Sequence, residues 1–358
     1  MQKKFSDNWS EIKRKPRIEI HINSLSISEL KRMTMSKFMQ KENAQISRIF
    51  ALKDKNTEII YISPFELSSD IINYYYKILE IGESEQSQAR FNLIVPDKSE
   101  KLPTFMHATA LLLYSSKTLK KIKNLVRLKN AYIVPGIVSN DEITLSLKLD
   151  IPILCGEPQK MRLYSSKSGS RRIFSISDVP IPIGAYDIYD ENEFEITLTK
   201  LVLSHPQIST WIFKIDGEYN GRGTAYLNIE NISEIKEIRK NFTEIGEQEI
   251  ESIQRILHRE LRTKAQFAMP NLFKTWNVYI KELCKNGGVI EARPNCKKSD
   301  ISSPSISFFI EPNGSIEVIG SYDKIQINDY VNLGCIFPQK SLPNIVSIKR
   351  IFMQFRKQ

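Results

Sequence analysis

Four short apolar runs, separated by segments of helical periodicity, constrain the first half of this chain more than any other feature. Ile59-Ile60-Tyr61-Ile62 is β-branched and ends at Ser63-Pro64; Phe91 to Val95 stops at Pro96. Ala131 to Val134 stops at Pro135-Gly136, and Ile151 to Leu154 closes the series. Proline lacks the N–H that a ladder needs, so each one should end its strand. Between the runs, Asp70 to Glu83, Lys117 to Lys129 and Asp141 to Leu149 read as helices. Strands alternating with helices predict an open, parallel α/β sheet. Residues 1–50 are polar and mixed, and read as a loosely ordered arm with one helix near Ser28 to Lys41. The first glycine is Gly82, so no G-x-G-x-x-G turn follows an early strand, and G-x-x-x-x-G-K-S/T is absent throughout. This excludes a dinucleotide fingerprint and a P-loop. The first sheet reads as a platform.

Charge narrows the partners. The 358 residues carry a net charge of +10, which suits a nucleic acid or an acidic protein such as a cytoskeletal surface. One run, Lys117, Lys120, Lys121, Lys123, Arg127 and Lys129, contains no acid. At helical spacing Leu119, Ile122 and Leu125 or Val126 form an apolar stripe, and the lysines take the solvated side. No aromatics interleave with them for base stacking, so nucleic acid is the last of the readings. Cys155, Cys284, Cys296 and Cys335 show no C-x-x-C pairing, and the histidines lie far apart. Free thiols in a reducing compartment are expected, with no zinc site. The longest apolar stretch, Ala108 to Tyr114, is too short for a bilayer, and the N-terminus has no apolar core behind its basic residues. A soluble cytoplasmic chain is expected. No G-x-S-x-G or H-E-x-x-H occurs, and no catalytic residue or metal ligand is assigned.

After Ser165 the organisation changes. Ile173 to Ser177, Glu193 to Ser204, Glu244 to Lys264 and Trp276 to Cys284 read as helices; Thr210 to Ile215, Thr224 to Ile229 and Val289 to Ala292 read as strands. Ile306, Phe308 and Ile310 alternate, Asn313-Gly314 turns, and Ile316 and Val318 alternate again, which predicts a hairpin. Ile253-Gln254 begins a calmodulin-type motif, but His258 stands where arginine is expected and the apolar spacing already makes that helix core-facing. Calmodulin binding is not expected. The most informative segment runs from Trp211 to Thr224, WIFKIDGEYNGRGT. Lys214 closes an apolar strand and a glycine-bearing loop follows. A lysine there offers point charge to a phosphate, and Gly221 and Gly223 let the backbone approach it. An ordinary hairpin with a surface lysine fits the segment equally well.

The phrases IIYISPFEL, YIVPG, IPILCGEP, YSSKSGSRRIF, IPIGAYDIYD, FKIDGEYNGRGTAY, GGVIEARP and IEPNGSIEVIGSYDKI resemble the core of the IQ motif-containing protein H family, from about Glu58 to Pro338. The resemblance implies a Rossmann-like pre-ATP-grasp parallel sheet over 51–164. It also implies an ATP-grasp-like, two-lobed α+β nucleotide-binding domain over 165–358. Lys214 and Arg222 would contact the phosphates of ATP, with Lys167 and Arg171 adding charge. Gly221 and Gly223 would let the loop close, and the backbone at Glu291, Ala292 and Arg293 would hold adenine. An intact member would use Mg²⁺ and join a carboxylate to an amine or thiol. Here the chain is expected to stop within or just after a helix that precedes the metal-holding strands, leaving binding with little or no turnover, a pseudoenzyme candidate. Glu311 is expected to be a turn residue, and Glu218 in the phosphate loop would repel polyphosphate unless Arg222 or Lys214 offsets it. The alternative is a non-catalytic scaffold in a cilium or flagellum with the cleft empty.

Overall fold

The computed structural model describes residues 1–84, 86–97, 99–241, 246–296 and 301–341. The helix expected near the C-terminal end falls on 342–358, and the expected helix start at Glu244 and Ile245 on 242–245; both lie outside the described residues. The chain divides into two units: residues 1–161 with 309–317, and residues 162–308 with 318–358.

The first unit opens with α1 (Gln2–Asp7) and α2 (Trp9–Arg14), followed by β1 (Arg17–Leu25), α3 (Glu29–Thr34) and α4 (Phe38–Asn43). It continues through β2 (Thr57–Ile62), α5 (Ser69–Ile81), β3 (Phe91–Ile94), α6 (Ala108–Leu113) and α7 (Ser116–Val126). β4 (Asn130–Ile137), α8 (Asn140–Leu149) and α9 (Pro158–Ser165) complete it, α9 crossing into the second unit. The sheet is parallel, in the order β3-β2-β1-β4. Successive side chains point to opposite faces. Ile60 and Ile62 therefore join Ile122 and Leu145 on one side, while Ile59 and Tyr61 meet Ile49, Leu52 and Leu79 on the other.

Four expectations are corrected here. Residues 17–25, read as part of a loose arm, form a central strand whose interior is wholly buried. Its isoleucines alternate with Glu19, His21 and Asn23, and those polar groups find partners: Glu19 accepts from Tyr132 Oη at 2.7 Å and meets His21 Nε2 at 3.0 Å. Polar spacing that resembled an exposed arm is in fact a buried face whose polar side chains each make at least one hydrogen bond, with His21 Nδ1 and Asn23 Oδ1 left unpartnered among the described residues. The single helix near Ser28 to Lys41 is two helices, broken where Lys37 adopts φ +53°. Pro135 does not end β4, which lies at the sheet edge where a missing donor is tolerated. Ile151 to Leu154 contributes only a bridge, Ile133 to Ile153, next to Pro152.

The second unit holds α10 (Lys167–Ile176), β5 (Gly184–Ile188), α11 (Glu191–Ser204), β6 (Thr210–Ile215), β7 (Thr224–Asn228) and α12 (Ser233–Asn241). Then come α13 (Glu247–Lys264), β8 (Gln266–Phe267), α14 (Trp276–Asn286), β9 (Gly288–Ala292), β10 (Pro304–Ile310), β11 (Ile316–Ile327) and β12 (Val331–Ile336), the end of β10, the start of β11 and the turn between them belonging to the first unit. β5-β9-β6-β7-β8 form an antiparallel sheet and β10-β11-β12 a smaller one. The expected hairpin is present, with Gly314 at φ +84° in its turn. Glu311 belongs to that turn, its N–H bonded to Ser315 O at 2.8 Å and its carboxylate paired with Lys13. Trp211, Phe213 and Ile215 point into a core with Phe194, Leu198, Leu257 and Trp276 from α11, α13 and α14. Ile253, Leu257 and Leu261 are fully buried there, as their spacing predicted. The four cysteines are unbridged. No described helix is long and apolar enough to cross a membrane.

Candidate functional site on the open sheet face

Because β6 alternates, its even residues face away from the helical core. Lys214 and Ile212 share that face with Thr224 and Tyr226, their partners on β7, and with Val289 and Glu291 on β9. A lysine at the end of an otherwise apolar strand is thus set on the side that α11, α13 and α14 leave uncovered. Lys214 Nζ meets Glu291 Oε2 at 2.5 Å, and Arg171 of α10 meets Glu291 Oε1 at 3.0 Å. Arg171 also donates to Pro182 O at 2.8 Å and stacks over the Tyr186 ring at 5.9 Å. Burial pushes the Glu291 carboxyl up, but the charges and hydrogen bonds of Lys214 and Arg171 outweigh it and hold it below the usual range. One carboxylate thereby balances two cations.

The loop between β6 and β7 is fastened to the start of α10. Ser166 caps that helix by accepting from Gly169 N at 2.9 Å, and Ser168 N–H donates to Asp216 Oδ1 at 3.0 Å. Lys167 Nζ donates to Ile215 O at 2.7 Å and to Glu218 O. Burial, joined by the nearby Lys214 charge, pushes the Lys167 amine down from its ordinary value. Lys167, expected to reach a phosphate, is here a staple across the loop. The carboxylate of Glu218 is offset by Arg222 Nε at 3.2 Å.

Gly221 sits at φ +82°, and a Cβ there would lie 2.6 Å from Tyr330 O. A Cβ on Gly223 would meet the side chains of Ile215 and Glu218 within 3 Å. Both glycines are thus required by close approach of the protein's own chain. Their N–H groups make no bond among the described residues.

At β9 and just beyond it, the backbone is already bonded to the protein's own chain. The Ala292 side chain packs on the core face, its N–H bonded to Ile183 O at 2.8 Å, and Arg293 N–H is bonded to Thr210 O at 2.9 Å. Neither N–H is available to a base, and Pro294 has none. The Arg293 side chain instead meets Asp329 at 3.2 Å beside a cleft of about 760 Å³. Tyr226 and Tyr330 stack at 4.6 Å along that cleft. Tyr226, Asp216 and Tyr330 escaped the sequence reading. Register places Tyr226 opposite Ile212 on the face that carries Lys214, and no local motif marks the turn that carries Tyr330.

An antiparallel sheet with a lysine on the face away from its helices, a glycine loop after it, a glutamate on the neighbouring β9 and a second small sheet beyond define a protein of the ATP-grasp fold. More narrowly, the family model described as "IQCH-like, ATP-grasp" matches residues 158–358, and the chain belongs to that family. IQ motif-containing protein H of Danio rerio is 31% identical over 94% of this chain. The chain spans about a third of that relative's length, 34%. Among solved structures, N5-carboxyaminoimidazole synthetase from Staphylococcus aureus, complexed with ADP, gives a TM-score of 0.44 at 11% identity, covering 96% of this chain and 63% of its own. D-alanyl-alanine synthetase A from Vibrio cholerae gives 0.41 at 12%, covering 96% and 81%.

Proposed function

We propose that the open face of the five-stranded sheet binds ATP, with Lys214 as the principal phosphate contact. The observation that carries this is the position of Lys214 near the end of a buried apolar strand, on the face opposite the helical core, followed by a loop in which the N–H groups of Gly221 and Gly223 make no bond among the described residues. Phosphate would exchange with the Glu291 carboxylate for the ammonium, while Arg171, only 5% exposed, stays with Glu291 and limits the cost of that exchange. Arg222 would contact phosphate from the rim. Adenine would lie against Glu291 and Arg293 through carbonyl oxygens and the Arg293 side chain. Among the described residues no group of three or more His, Cys, Asp or Glu could hold a metal, and the proposal routes nothing through Mg²⁺.

The scaffold reading has its own support. Lys167, Arg171 and Arg222 are all engaged by the chain itself, so the cleft is electrostatically satisfied without a ligand. Calorimetric titration of ATP into the protein and a Lys214→Ala variant, with and without Mg²⁺, decides between the two. Binding that Lys214→Ala weakens at least about tenfold supports the nucleotide site. No binding by wild type at about millimolar ATP leaves the scaffold.

A further inference from the structure

In the first unit, α1 and α2 stand across from the C-terminal end of α7 and frame a cleft of about 660 Å³. Its floor is apolar, with Ile12, Val126, Ala131 and Leu149 among its lining. Its rim is mostly basic, with Lys4 and Lys15 on one side and Lys123, Arg127 and Lys129 on the other, against Glu11 and Asp150 as the acids of its lining. Lys15 is paired with Glu11, and Lys129 with Glu58 at 3.2 Å. Lys4, Lys123 and Arg127 have no acidic partner among the described residues. Between Arg127 and Lys129, beside the cleft and outside its lining, stands Leu128, fully exposed and held at φ +62°. A non-glycine residue is strained in that region, and a large apolar side chain there gains nothing from the fold that displays it. Solvation of a helix face accounts for the lysines of α7. It does not account for the apolar floor or for Leu128.

We propose that this cleft docks an extended acidic polypeptide segment, its carboxylates on Lys4, Lys123 and Arg127 and an apolar side chain against Leu128. Charge complementarity selects the occupant. The aromatic rings at the cleft, Phe5 and Tyr132, are 4% and 3% exposed and packed on Trp9, so no free face remains for stacking a base.

The test is fluorescence anisotropy of the full chain with a fluorescein-labelled peptide of repeating Glu-Glu-Leu-Glu. The same peptide with glutamine for glutamate, labelled oligouridylate and phosphatidylserine vesicles serve as comparisons. The acidic peptide should bind, weaken as salt rises from about 50 to about 300 mM, and lose about tenfold in affinity in a Lys123→Glu/Arg127→Glu variant. Leu128→Gly relieves the backbone strain, so it should keep the fold and still weaken the peptide about threefold. Neither variant should alter ATP binding, which separates this surface from the sheet face. Equal binding of the glutamine peptide, an unaffected charge-reversed variant, or tighter binding of oligouridylate or vesicles would overturn the proposal.

Discussion

Replacing Glu291 by glutamine removes the one negative charge that holds Arg171 and Lys214 together. Its side chain is 13% exposed, against 6% for Arg171 and 31% for Lys214. Lys214 can swing toward water; Arg171 cannot, and keeps only Pro182 O and the Tyr186 face. Breaking a buried pair by removing one partner costs about 3–5 kcal/mol, and the freedom of Lys214 places this case near about 3 kcal/mol. For a unit of this size, that should lower the midpoint of thermal unfolding by about 6–12 °C. Because the folded-state carboxyl lies below its ordinary value of 4.5, the contribution is fully present above that pH. It is lost as pH falls through the folded value. Wild type and variant should therefore converge in acid. Scanning calorimetry at neutral pH and in a series descending to about pH 2 reads both effects. A shift under about 2 °C at neutral pH, or a gap that persists unchanged in acid, would refute the charge-balance argument.

Three further outcomes follow from the packing. Phe194 is fully buried, 5.0 Å from Phe213 and 5.5 Å from Trp276; Phe194→Ala should cost about 3–5 kcal/mol in denaturant unfolding, and a cost below about 1 would mean the core is not packed this way. Gly221→Ala meets both a positive φ and Tyr330 O, so it should destabilise by about 2 kcal/mol in the same assay; a neutral result would place the Tyr330 turn elsewhere. Burial pushes the Glu42 carboxyl up to about 7, although the N–H groups of Leu25 and Ala108 oppose it. A raised folded value means stability falls as pH rises from about 4.5 to about 7, by roughly 3 kcal/mol. Glu42→Gln should lack that fall when urea melts at pH 5 and pH 8 are compared, and parallel profiles would count against it.

Period and punctuation made most of the elements legible. β-branched runs closed by proline, and the 3.6-residue spacing of Ile253, Leu257 and Leu261, each reflect a single element burying one face, which neighbouring residues alone can reveal. The strand 17–25 was not legible, because its alternate polar residues are buried against Tyr132, Glu42 and the strand's own side chains, groups distant or ambiguous in the chain. At the site, Lys214 and the glycine loop could be named from a single stretch of sequence. The partners of those residues could not. Glu291 lies 77 residues from Lys214 and Arg171 another 43 before it, so their charge balance exists only once β6, β9 and α10 are packed.

Sequence alone determined that Lys214 would end an apolar strand beside a glycine loop, since strand alternation and glycine's freedom are local properties. Tertiary structure decided what those groups do. It turned Lys167 into a staple, tied up the N–H groups of Ala292 and Arg293, and set Gly221 against Tyr330. Whether a polar group is free or spent depends on which distant segment folds against it, and that is a property of packing.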